Sequence, residues 1–132
     1  MKKLLILLAF LFGMLHAEVI NEPASKALLE KRIPIVDIRT PGEWKETGLL
    51  KGSIPIMFFD ERGGYNVDRF MLELKAKVDT SKPFALICRT DSRTSMLAPF
   101  LAQTFGYTVY NLQGGILYAH RLGLPIEPYT SK

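Results

Sequence analysis

Phe84-Ala85-Leu86-Ile87-Cys88-Arg89-Thr90-Asp91-Ser92-Arg93-Thr94-Ser95 is the stretch on which the fold turns. Ser81-Lys82-Pro83 breaks the chain just before it. Phe84 to Ile87 is then continuously apolar and too short for a helix, which predicts a strand buried on both faces at the centre of a sheet. A polar loop follows, and helical character returns from about Ser92 to Phe105, where Gly106 ends it. A helix start presents unpaired backbone N–H groups and the positive end of the helix dipole. Both stabilise an anion, and Arg89 and Arg93 add fixed charge. Cys88 is therefore expected in the electropositive, partly exposed setting that a reactive cysteine needs. It is the one cysteine of the chain, so no intramolecular disulfide can form. The competing reading is an inert, buried hydrophobe, which is how most free cysteines behave. The charged neighbours favour reactivity.

Working outward, Val19-Ile20 reads as a short first strand. Asn21 or Glu22 then caps a helix entered through Pro23, with Ala27, Leu28 and Leu29 as its apolar face. Ile33 to Ile38 is a β-branched run, hence a second buried strand. Thr40-Pro41-Gly42-Glu43 carries a complete helix-start signature: Thr40 as N-cap, Pro41 in the first turn, Glu43 closing a capping box. Gly48 stops that helix. Ile54-Pro55-Ile56 is broken by proline and belongs at a sheet edge, and Arg62-Gly63-Gly64 is a turn. Apolar residues at 67, 70, 71, 74 and 78 have the spacing of an amphipathic helix. Tyr107 to Tyr110 is expected as the last strand, and Gly114-Gly115 leads into a final helix. Strands alternating with helices imply an α/β domain whose largely parallel sheet is covered on both faces. Ligands in such folds bind beyond the carboxyl ends of the strands, where Cys88 stands.

The chain has 132 residues, 48% of them hydrophobic and 23% charged, which fits one domain. Its first segment reads as an export signal: Lys2 and Lys3, an apolar run from Leu4 to Leu15, then a cleavage site at Leu15-His16-Ala17. A spanning helix needs about 20 apolar residues, more than this run supplies. Retention as an anchor is the lesser alternative. The expected division is a signal peptide over 1–17 and a folded domain over 18–132. Export places the protein in the periplasm of a Gram-negative cell or outside the cell otherwise, with no membrane contact once the signal is cleaved. Cleavage removes two lysines and no acids, so the formal charge of +4 overstates how basic the mature chain is. Basic residues are scattered, which argues against nucleic acid.

His120 is the one histidine beyond the signal, so a cysteine–histidine pair has weak support, and ligands for a metal are wanting. A dithiol cycle lacks its second cysteine. Chemistry on one sulfur in an anion-binding loop remains, either sulfur-atom or phosphoryl transfer. Here the residues carry a resemblance. The Cys88–Arg93 loop resembles the active-site loop of rhodanese-type sulfurtransferases. Val36-Asp37-Ile38-Arg39-Thr40-Pro41-Gly42-Glu43-Trp44 is similar to the family's Asp-x-Arg strand and Glu-Trp helix. Gly48 to Ile56 resembles the stretch after that helix, and Leu112-Gln113-Gly114-Gly115 with Gly123-Leu124-Pro125 resembles its closing signature. Sulfurtransferase members have a six-residue loop from cysteine to arginine, as here; related phosphatases have one residue more, and Thr94 stands where their arginine would fall.

The resemblance implies a single rhodanese-like domain, three-layer α/β/α, with a mostly parallel sheet of about five strands. It implies a Cys88 persulfide, held by the loop residues Arg89, Thr90, Asp91, Ser92 and Arg93. Arg39 either faces the pocket as a further anion ligand or pairs with a carboxylate. Asp37 is structural near the site, and Trp44 packs its helix. The implied partners are a small anionic sulfur donor such as thiosulfate and a thiol, cyanide or protein sulfur acceptor, with no cofactor and no metal. The alternative is a catalytically weak rhodanese-fold module that binds a partner or senses sulfur species. Three positions depart from the pattern. Asp91 stands where members often have glycine, with its carboxylate expected near the sulfur; Leu49 replaces a frequent histidine, and Ala119 a common tryptophan.

Overall fold

The computed structural model describes residues 17–130; positions 1–16 of the expected signal lie outside the described residues. Five parallel strands form the sheet, in the order β1-β6-β5-β2-β4: β1 (Val19–Pro23), β2 (Ile35–Asp37), β4 (Ile54–Pro55), β5 (Phe84–Ile87) and β6 (Val109–Gln113). The central strand is β5, as its unbroken apolar run requires. Alternation along it divides the core. Phe84, Leu86 and Cys88 point to one face, where they pack with α3 (Val67–Lys77) and α4 (Thr94–Phe105). Ala85 and Ile87 point to the other, against α1 (Lys26–Glu30) and α5 (Gly115–Arg121). Neither face of β5 meets water, so no polar residue interrupts it. The expected α/β architecture, with a mostly parallel five-stranded sheet, is the one observed.

Local signals succeed where side chains satisfy backbone groups nearby. Helix α2 (Pro41–Thr47) has the full capping box: Glu43 N donates to Thr40 Oγ1 and Thr40 N to Glu43 Oε1, each at 3.3 Å. Ile54-Pro55 forms an edge strand, where proline's missing N–H removes no ladder bond.

Three expectations need correction. The helix expected through Pro23 begins later, because β1 stays extended through Pro23 and pairs residue for residue with β6. Ser25 caps α1 instead, accepting Leu28 N at 3.0 Å. The strand expected over Tyr107–Tyr110 runs over Val109–Gln113, in register with β1 and β5. It is not the last strand: β7 (Ile126–Glu127) pairs antiparallel with β3 (Leu49–Leu50). Two-residue strands carry no detectable period, and only their pairing reveals them. No helix among the described residues is long and apolar enough to cross a membrane.

Burial sets the expected response to truncation. Leu86 is fully buried in the central strand, whereas Leu72 on α3 is 74% exposed. Leu86→Ala should lower unfolding free energy by about 2–5 kcal/mol. Leu72→Ala should stay within about 0.5 kcal/mol of the parent. Urea denaturation of the two variants checks the difference.

Candidate active site

Cys88 leaves the carboxyl end of β5 and is fully buried, not partly exposed as expected. The alternation of β5 explains this: Cys88 continues the Phe84–Leu86 face, and α4 roofs it. Its Sγ lies 3.6 Å from Thr94 Oγ1, and Thr94 Oγ1 lies 3.2 Å from the Asp91 carbonyl, to which it can donate. The expected start of α4 near Ser92 shifts to Thr94, since Ser95 N donates back to Asp91 O at 2.8 Å and closes the loop first. Among the described residues, the amides of residues 89–94 donate no hydrogen bond to the protein itself. A run of free amides at the start of a helix is suited to holding an anion.

Helix α5 clamps the loop from beneath. Ile116 N donates to Cys88 O at 2.9 Å and Leu117 N to Arg89 O at 3.2 Å. This close approach explains Gly115, which sits at φ 60; a Cβ there would fall 2.4 Å from Arg89 O. Asp91 has φ 111, which an L-residue adopts under strain. Its Oδ2 accepts Gly114 N at 3.3 Å, so a third contact ties the loop to the same helix start.

The wall opposite comes from β2 and α2. Arg93 Nη1 and Nη2 donate to Glu43 Oε1 and Oε2 at 2.7 and 2.8 Å, a bidentate pair with both side chains about a quarter exposed. The hydrogen bonds and charge of Arg93 hold the Glu43 carboxyl at about 2, against the opposing effect of burial and with help from Thr40. Arg93 is raised in return, chiefly by Glu43. Beneath this pair, Asp37 accepts Arg39 Nε at 3.0 Å, Arg39 Nη2 at 2.8 Å and Trp44 Nε1 at 3.0 Å. Arg39 also donates to Thr47 Oγ1 and Gly48 O.

The loop thus gathers Cys88, Arg89, Thr90, Asp91, Ser92 and Arg93 in one place. Arg89, Thr90 and Ser92 are exposed around the buried thiol. Of the two roles expected for Arg39, pairing with a carboxylate is the one observed and the role of anion ligand is corrected: 1% exposed, it spends its guanidinium on Asp37, Thr47 and the Gly48 carbonyl. Asp37 lies under the site as a hydrogen-bond hub. Sequence reasoning missed two functional neighbours. Thr94, the partner of Sγ, follows the loop by one residue and gives no sign of its role. Glu43 was legible as a capping residue, but its pairing with Arg93 spans 50 positions. Among the described residues no three or more His, Cys, Asp or Glu side chains gather as a metal site.

The Glu43 carboxyl is lowered in the folded state, so its contribution to stability is present above its ordinary value of 4.5 and is lost as pH falls through about 2. Glu43→Gln should therefore cost about 1–2 kcal/mol at pH 7, screened as a partly exposed pair is. The difference from the parent should shrink toward zero near pH 2, checked by urea denaturation at both pH values.

A family model of the rhodanese-like domain matches residues 21–118. The uncharacterized protein RP600 of Rickettsia prowazekii (strain Madrid E) is 30% identical over 91 residues, which cover 67% of this chain and 72% of that protein. A rhodanese-related protein from Thermoplasma volcanium superposes with a TM-score of 0.61 at 23% identity, over 85% of this chain and all of that one. Rv0390 from M. tuberculosis does so at 0.60 and 20%, over 74% of this chain and 80% of that one. The matched segment takes in β2, α2 and the whole Cys88–Arg93 loop, and with them the chain belongs to the rhodanese-like domain family.

Proposed function

We propose that the protein is an exported sulfurtransferase that carries a sulfane sulfur on Cys88. The observation that carries this reading is the six-residue loop from Cys88 to Arg93, whose amides 89–93 find no acceptor within the described residues. In the first step the Cys88 thiolate attacks the outer sulfur of a donor such as thiosulfate. A new S–S bond forms at Cys88, the donor's S–S bond breaks, and sulfite leaves with the electron pair. In the second step cyanide or a thiol attacks the outer sulfur of the persulfide, and the Cys88 thiolate departs. The loop amides stabilise the charge on the bound sulfur in both steps. Arg89, exposed at the loop, meets the anionic donor. Arg93 holds the loop against Glu43. The route asks for no metal or organic cofactor. Export rests on Lys2, Lys3 and the apolar run that follows them; a protein acceptor in the same compartment is a further part of the proposal.

Two observations favour a second reading, a catalytically weak module that binds a partner or senses sulfur species. Cys88 is fully buried, and Asp91 puts a carboxylate into the anion-binding loop. The two readings differ at the sulfur. Exposure of the full chain to thiosulfate should add one sulfur atom by intact mass, and Cys88→Ser should remove both that gain and thiocyanate formation while leaving the fold intact by circular dichroism. Turnover retained in Cys88→Ser would exclude the carrier, and an unmodified parent protein would favour the module.

A further inference from the structure

Thr94 opens α4 directly after the Cys88–Arg93 loop, and its side chain is fully buried. A hydroxyl shut away from water has to be satisfied by protein. Two neighbours can do so: the Asp91 carbonyl lies 3.2 Å from Oγ1, and the Cys88 sulfur 3.6 Å. Among the described residues, Oγ1 is the one side-chain polar atom in hydrogen-bonding reach of Sγ. The arginines of the loop do not share that place. Arg93 gives both Nη atoms to Glu43, and Arg89 is exposed.

The hydroxyl has one proton and two neighbours, so its hydrogen bonds follow the charge on the sulfur. When Cys88 is a thiol, S–H donates to Oγ1, and Oγ1 donates to the Asp91 carbonyl. When the sulfur carries a negative charge it can only accept, and the Thr94 proton turns to it. The carbonyl keeps a partner through that turn, because Ser95 N donates to it at 2.8 Å. A threonine side chain is stiff about χ1, so the turn is a rotation of the O–H bond with no heavy atom displaced. Each of these buried groups is paired in both states, which keeps the switch between them inexpensive.

Resting on the sulfur-carrier reading above, we propose that Thr94 is a catalytic residue. Its hydroxyl donates to the Cys88 sulfur as negative charge gathers there, and so makes Cys88 a better leaving group when the persulfide is discharged. In that step cyanide attacks the outer sulfur, a C–S bond forms, the bond from Sγ to the outer sulfur breaks, and its electron pair goes to Sγ. Cyanide and persulfide bring two negative charges; thiocyanate and thiolate carry two away. The Thr94 proton stays on Oγ1 throughout and changes only its acceptor. Loading with thiosulfate depends less on the hydroxyl. A donor that stabilises the thiolate raises its population but lowers its nucleophilicity, and the two effects oppose each other.

The test separates the two half-reactions in the full chain. Loading is the rate of sulfur gain from thiosulfate by intact mass; discharge is the rate at which the isolated persulfide forms thiocyanate with cyanide. A hydrogen bond to a charged group is worth about tenfold or more. Thr94→Val removes the hydroxyl while nearly keeping the shape, so it should slow discharge by that factor and loading by much less. Thr94→Ser keeps the hydroxyl and should retain most of the parent's discharge rate. Thr94→Ala carries the same comparison if the valine variant does not fold by circular dichroism. Three outcomes overturn the role of Thr94 and leave the carrier standing: discharge unaltered without the hydroxyl, equal slowing of both half-reactions, or a serine variant as slow as the valine one. A parent protein that takes up no sulfur overturns both.

Discussion

The bidentate pair between Glu43 and Arg93 joins two segments of chain that nothing in the backbone ladder joins at that level. Glu43 is already committed to capping α2, so its carboxylate is held in place before Arg93 reaches it. Arg93 in turn stands at the entrance to α4 and ends the loop. Through this one contact the orientation of α2 is transmitted to the loop around Cys88. The Asp37 hub beneath works similarly: one carboxylate takes hydrogen bonds from Arg39 and Trp44 and fixes α2 to the end of β2. Fully buried charge is retained here because each side of the pair is satisfied by several partners.

The loop is held from a second side by α5. Three donors at the start of that helix, Gly114 N, Ile116 N and Leu117 N, are spent on Asp91, Cys88 and Arg89. Donors that would otherwise need water thereby shape the site, while the loop's own amides donate to nothing among the described residues. Asp91 gains a physical account in this arrangement. Its strained backbone is compensated by a hydrogen bond that glycine could not make, and its carboxylate is directed toward Gly114 N.

The same contacts alter the electrostatic picture that the loop's composition suggests. Two arginines and a helix start read as strongly positive. Pairing removes one arginine from the count, and Asp91 offsets more. What remains to meet a negative charge is chiefly the set of backbone amides. A buried thiol under α4 fits this balance, since a sulfur atom shielded from water interacts more strongly with fixed dipoles than one in bulk solvent.

Much of this was legible in the sequence, and its limits have a physical cause. The apolar run of Phe84 to Ile87, the Thr40–Glu43 capping box and the period of α3 are determined by neighbours within a few positions, so they declare themselves locally. The Cys88–Arg93 loop was legible for the same reason. The extent of β1 and β6, the ribbon of β3 and β7, and the start of α1 depend on pairing across the chain, which no local pattern encodes. So do the fates of charged side chains. Arg39 and Arg93 look equivalent in sequence, yet folding buries one against Asp37 and leaves the other beside Glu43. The sequence by itself determined the strand–loop–helix that carries Cys88. The tertiary structure alone decided how deeply the sulfur is buried and which charges survive around it, because both depend on partners brought together from distant segments.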